Sequence, residues 1–104
     1  IDSFCEMVAR TAEIMNVDNI GIGSDLCLNQ PDEVVDWMRN GTWSKNKNYG
    51  EGSKNKAGFP EQPDWFKDAR GFKNLEKGFK KVGFSDNETN GILGNNWYNF
   101  YKNI

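Results

Sequence analysis

The sequence predicts an α/β fold with a parallel sheet, and two neighbouring features predict it. Residues 1–16 repeat apolar side chains at three- and four-residue steps, which is typical of an amphipathic helix. Residues 19–25, with the sequence NIGIGSD, follow after a very short connection. This apolar run carries β-branched residues, breaks on glycine and ends on a carboxylate, as a buried parallel strand does. A strand that follows a helix so closely is characteristic of an αβ unit.

The sequence also indicates the apolar face of the first helix and the bounds of the strand. The helix has one apolar face, made of Ile1, Phe4, Cys5, Val8, Ala12 and Met15. Asn16 and the pair Asp18-Asn19 end it, and the strand covers residues 20–23. Gly21 and Gly23 remove side chains where neighbouring elements must come close.

A second helix is predicted from Pro31 to about Arg39. Proline suits the first helical position, and the acidic side chains of Asp32 and Glu33 suit the first turn. The pair Asn40-Gly41 is a typical helix end.

Residues 41–63 show no periodicity and predict a long irregular loop, of the kind that is usually functional or disordered in a compact domain. Five aromatic residues lie in or just after it: Trp43, Tyr49, Phe59, Trp65 and Phe66. Such aromatic residues are most often packing anchors. The alternative hypothesis is a non-catalytic binding module that presents residues 41–66 to a sugar or a protein partner.

The last third of the chain predicts three more helices. The first spans residues 73–82, with Phe72, Leu75, Phe79 and Val82 on one face and Gly83 as its end. Ser85 and Glu88 form a capping-box pattern that opens a fourth helix, which carries Ile92 and Leu93 and ends at Gly94. The pair Asn95-Asn96 starts a short final helix with Trp97, Phe100, Tyr101 and Ile104.

Composition narrows the class of protein. The chain has 104 residues, of which 37% are hydrophobic and 27% charged, and this suits one globular unit over residues 1–104. No apolar run approaches the roughly 20 residues of a membrane span. The basic residues of the C-terminal two thirds are mixed with acidic ones, so we expect no nucleic-acid binding. The chain opens on Ile1 inside a helical pattern, and we expect it to be a piece of a longer protein.

Histidine and cysteine content excludes several chemistries within this chain. There is no histidine, so the chain holds no Ser-His-Asp triad, no Cys-His pair and no histidine-based zinc site. Cys5 and Cys27 are not spaced as metal ligands, and Cys5 is predicted to be a buried free thiol on the first helix.

Asp25 is the candidate catalytic residue. In α/β folds, and in (β/α)8 barrels above all, chemistry sits at the carboxyl ends of the strands, where Asp25 lies. An aspartate after a strand is also a common turn former or helix cap, and the pattern alone favours that interpretation.

Three blocks of the sequence resemble the membrane (renal) dipeptidase family of zinc peptidases. Residues 17–25, with the sequence VDNIGIGSD, resemble the last barrel strand of that family. Residues 72–75, 82–86 and 92–97 resemble its closing helices in order and spacing, and residues 50–66 resemble the long insert of a bacterial branch. The chain departs from the family at Leu26-Cys27-Leu28, where many members have Phe-Asp-Gly, so substrate preference stays open.

The resemblance implies that this chain is the C-terminal piece of a (β/α)8 TIM-type barrel with two zinc ions that hydrolyses dipeptides. The zinc ligands of the family are histidines and acids from earlier strands, and none of those positions lies in this chain. One catalytic position carries over, Asp25, which in the family faces the metal centre near the bridging water. A zinc-bound hydroxide attacks the peptide carbonyl, and this carboxylate can take a proton and pass it to the leaving amine.

The chain by itself is expected to be mostly α-helical with one or a few short strands. It should be inactive, because the metal ligands lie elsewhere. The strand edge and the apolar helix faces need cover, either by collapse into a mostly helical unit or by self-association, and we expect the second.

Overall fold

A computed structural model describes residues 1–26, 28–31, 33–34 and 62–104. About 65% of these residues are helical, which confirms the prediction that the chain by itself is mostly α-helical. The chain divides into two compact units, Ile1–Asp25 with Asp64–Ile104, and Leu26–Pro63. Within the described ranges, no helix is long and apolar enough to cross a bilayer.

The first unit contains four α-helices: α1 (Asp2–Met15), α2 (Phe72–Lys81), α3 (Asp86–Asn90) and α4 (Asn96–Lys102). Short 3-10 turns, Val17–Asn19 and Ala69–Gly71, follow α1 and precede α2. A stretch assigned as π-helical, Gly91–Asn95, joins α3 to α4 and is interrupted by a kink at Gly94 (φ 177°, ψ −39°). The helices predicted over residues 1–16 and 73–82 are confirmed to within one or two residues at each end.

The core of the first unit lies between α1, α2 and the π-helical stretch. Its buried hydrophobic residues are Cys5, Val8, Ile20, Leu75, Phe79 and Ile92. Gly78 allows α1 and α2 to approach, because a Cβ built on it would lie only 2.5 Å from Cys5 Sγ. Cys5 is a buried free thiol as predicted. Burial raises the pKa of this thiol, which leaves it protonated and unreactive at neutral pH.

The capping box at the start of α3 is confirmed. Ser85 Oγ accepts a hydrogen bond from the Glu88 backbone N–H (3.3 Å), and Glu88 Oε2 accepts one from the Ser85 backbone N–H (2.8 Å). The predicted fourth helix differs in detail, because Ile92 lies in the π-helical stretch rather than in an α-helix. The predicted break at Gly94 is present, since its backbone angles are not helical.

Ile20 is extended, but residues 20–23 do not form the predicted strand. Ile20 has β-region angles (φ −109°, ψ 130°), and the Ile22 N–H donates to the Ile92 carbonyl at 3.2 Å. No strand occurs in the part of the chain that the structure describes. The prediction of a strand is therefore wrong for these residues, because a strand is defined by pairing and this segment bonds to a helical stretch instead.

The second unit is described only at residues 26, 28–31, 33–34 and 62–63. Glu33 and Val34 are helical, and the Val34 N–H donates to the Pro31 carbonyl at 3.0 Å. Pro31 itself is not helical, so it precedes this turn instead of being its first helical residue. The rest of the helix predicted to Arg39, and the loop predicted over residues 41–63 apart from its last two residues, lie outside the described residues.

Several carboxylates of the first unit are held by partners that favour their charged form. Hydrogen bonds from the Arg70 side chain lower the pKa of Asp68 to about 2. Hydrogen bonds with Lys81 lower the pKa of Asp2, and those with the Ser85 backbone and hydroxyl lower the pKa of Glu88. A carboxyl whose pKa falls on folding stabilises the folded state above its unfolded pKa and loses that contribution as pH falls.

We therefore expect the urea midpoint of the chain to be steady above about pH 5 and to drop between about pH 4 and pH 2, where these carboxyls take up protons. The measurement is a urea titration followed by tryptophan fluorescence at a series of pH values. Asp68→Asn should reduce the drop of the urea midpoint at low pH. Asp18→Asn serves as the control for the loss of one exposed carboxylate. A midpoint that stays constant down to about pH 2 would contradict the linkage.

Candidate functional site

The candidate site is the segment of residues 20–25, which ends on the predicted catalytic residue Asp25. It leaves the 3-10 turn Val17–Asn19 with Ile20 buried in the core. The exposure of the segment then rises, and residues 23–25 are exposed.

Two side chains at the start of α4 hold this segment, and we call them the Asn96–Trp97 clamp. The carboxamide Nδ2 of Asn96 donates to two backbone carbonyls, those of Val17 (2.9 Å) and Ile20 (2.8 Å). The indole Nε1 of Trp97 donates to the Ile22 carbonyl at 3.2 Å. An asparagine amide has two N–H donors, so Asn96 satisfies both carbonyls with one group.

Two glycines make room for the clamp. A Cβ on Gly21 would lie 2.6 Å from Cε2 of the Trp97 indole, closer than real Cβ contacts come. A Cβ on Gly91 would lie 2.8 Å from Asn96 Oδ1. The indole and the carboxamide therefore reach the segment only because these two positions carry no side chain.

Asp25 is exposed and lies three residues beyond the last carbonyl that the clamp binds. Its backbone has a positive φ of 47°, the left-handed conformation that aspartate and asparagine adopt more readily than most residues. This conformation fits the turn-forming interpretation as well as the catalytic one. The exposure leaves the carboxylate accessible to groups from outside the chain.

The described residues do not supply a metal centre. No group of three or more histidine, cysteine, aspartate or glutamate side chains converges anywhere in these ranges. Tight zinc sites take three or four such ligands, so Asp25 could contribute one carboxylate at most. The zinc that the resemblance implies would have to be held by residues outside the described part of the chain.

The aromatic residues of the alternative hypothesis are partly described. Phe66 is buried, and its ring packs edge-on against Phe72 at 4.9 Å between centroids. Trp65 packs against Phe4 at 5.4 Å. Both side chains therefore act as anchors within the first unit, while Trp43 and Tyr49 lie outside the described residues.

A groove of about 600 Å³ runs along the outer side of the clamp. It is lined by Asp18, Asn19, Ile20, Gly21, Asn96, Trp97, Asn99, Phe100, Asn103 and Ile104. Sequence reasoning placed Trp97 and Phe100 on a final helix but did not assign Asn96 or Trp97 to the segment that carries Asp25. The signal available was weak: an asparagine and a tryptophan at the predicted start of a helix.

Comparisons with models of protein families, with curated protein sequences and with solved structures found no match to this chain.

Proposed function

We propose that this chain is the C-terminal part of a zinc-dependent dipeptidase-like hydrolase and that Asp25 is its proton shuttle. One observation carries the proposal beyond the resemblance. Two of the three blocks that resemble the dipeptidase family, residues 17–25 and 92–97, lie against each other. Ile22 bonds Ile92 through its N–H and Trp97 through its carbonyl. If both blocks belong to the catalytic side of the barrel, they must lie next to each other in the folded chain, and this contact supports that arrangement.

The chemistry proposed for Asp25 needs an exposed carboxylate at a defined place. Zinc, held by residues outside this chain, would supply the activated water for attack on the peptide carbonyl. Asp25 would accept a proton from the attacking water and pass it to the amine of the departing residue, which leaves as a neutral group. The exposure of Asp25 and the anchoring of the segment before it both support this role.

The test begins with the reading frame upstream of Ile1. We expect this upstream sequence to encode a His-x-Asp pair near the end of an early predicted strand, with further histidines later. The encoded longer protein should hydrolyse dipeptides, lose the activity when a chelator removes metal and regain it with added zinc. The 104-residue chain alone should show no turnover above the buffer rate.

Two results would contradict the proposal. The first is hydrolysis by the longer protein that metal removal does not change. The second is dipeptide turnover, or stoichiometric zinc binding below micromolar, by the 104-residue chain alone. Either result would show that the reaction does not use a zinc site outside this chain together with Asp25.

A further inference from the structure

We infer that Asn96 and Trp97 are positioning residues whose hydrogen bonds hold residues 20–22 in place and so fix where Asp25 is presented. The inference concerns the side chains of α4, to which the resemblance assigns no role. Its catalytic consequence rests on the proposed function, whereas the positioning itself is a property of this chain.

Three backbone groups of residues 20–22 are bonded to the C-terminal part of the first unit. The Ile20 carbonyl accepts from Asn96, the Ile22 N–H donates to the Ile92 carbonyl, and the Ile22 carbonyl accepts from Trp97. The stretch Gly91–Asn95 and the start of α4 together thus supply partners that a neighbouring strand supplies in a sheet.

The hydrogen bonds of the clamp restrain the backbone at several successive points. The Asn96 carboxamide bridges the Val17 and Ile20 carbonyls, so it fixes the exit of the 3-10 turn as well as the first extended residue. The Trp97 indole covers Gly21 and bonds the next carbonyl along. Gly21 and Gly23 leave the backbone of the segment freer than other residues would, and the clamp restricts it at the Ile20 and Ile22 carbonyls. The clamp therefore adds to the restraint that the burial of Ile20 and the hydrogen bond from Ile22 to Ile92 already supply.

The experiment uses the 104-residue chain and four variants. Asn96→Asp keeps the size of the side chain and suits a helix start, yet it removes both N–H donors. Trp97→Phe keeps an aromatic ring and removes the indole donor. Asn99→Asp is the matched control, because Asn99 lines the same groove on α4 and, among the described residues, its side chain donates to no carbonyl of the segment. Tyr98→Leu is the control for a change of aromatic ring on α4, because Tyr98 is exposed and does not line the groove.

The readouts are amide hydrogen exchange at Ile22 and ¹⁵N order parameters at residues 23–25, with circular dichroism to check that the helices remain. Loss of the two Asn96 hydrogen bonds should speed exchange at Ile22 roughly 10-fold or more and lower the order parameter at Asp25. Trp97→Phe should act in the same direction with a smaller effect, and both controls should match the unaltered chain. Should Asn96→Asp unfold the chain, Trp97→Phe decides the question alone.

Unchanged exchange and order in both clamp variants would overturn the inference. Kinetic measurements on the longer enzyme distinguish failure of this inference from failure of the proposed function. In the longer enzyme, Asn96→Asp should lower kcat with little change in KM, and it should have no further effect when Asp25→Asn is already present. Failure of every form to hydrolyse dipeptides would retire the proposed function and leave the positioning result standing. A lower kcat for Asp25→Asn with no effect of Asn96→Asp would instead overturn the catalytic consequence.

Discussion

Under the proposed function, replacement of Asp25 by asparagine is expected to lower kcat for dipeptide hydrolysis by the longer protein about 100-fold or more, the typical loss for an acid–base group. Asparagine has nearly the same shape and tolerates the left-handed backbone seen at Asp25, where φ is 47°. The exchange therefore removes the proton-accepting carboxylate without straining the turn. Alanine would be a poorer choice, because it adopts that conformation at a cost.

Kinetics, zinc content and thermal stability should be measured together. The expected pattern is a reduced kcat with an unchanged zinc content and melting temperature. Glu13→Gln is the control, since it removes one exposed carboxylate on α1, away from the groove at the candidate site, and should leave kcat unaltered. Turnover that survives Asp25→Asn at full rate would show that Asp25 is a turn former and not a proton shuttle.

Replacement of Phe79 by alanine is expected to cost the first unit about 3–5 kcal/mol of unfolding free energy. Phe79 is fully buried on α2, and its ring packs edge-on against Phe84 at 5.7 Å between centroids. The deletion removes apolar surface and leaves a cavity between helices that cannot close over it. Since small domains are stable by only about 5–15 kcal/mol, much of the total would be lost.

The measurement is a urea titration of the 104-residue chain followed by circular dichroism. Phe100→Ala is the control, because it removes the same ring from α4 at a position that is 58% exposed and should change the free energy of unfolding by no more than about 0.5 kcal/mol. If Phe79→Ala costs less than about 1 kcal/mol, the core described for the first unit is not the one that stabilises the chain in solution.

The features that were predictable from sequence are those set by residues close together in the chain. The period of apolar residues predicted α1 and α2 because the helix repeat acts within a few turns. The capping box of Ser85 and Glu88 was predictable because its two hydrogen bonds join residues that are three positions apart. The burial of Cys5 followed from its place on the apolar face of α1. Met15 shows the limit of such patterns, because it belongs to the same stripe and is 53% exposed.

The candidate site was predictable only in part. The sequence pointed to Asp25 because a carboxylate ends an apolar run broken by glycine. It also predicted a strand there, and this failed for the described residues because pairing depends on a partner that local sequence does not specify.

What the sequence by itself determined is α1, α2 and the final helix α4, the capping box of Ser85 and Glu88, and the position of Asp25 after an apolar run. What only the tertiary structure decided is how that run is held. The hydrogen bonds of the Asn96–Trp97 clamp join residues 75 to 79 positions apart, so no local window contains both partners. They form because Gly21 and Gly91 leave space and because packing brings α4 to the segment. Side-chain donors can satisfy backbone carbonyls in place of a strand, and only the folded arrangement shows which donors do so.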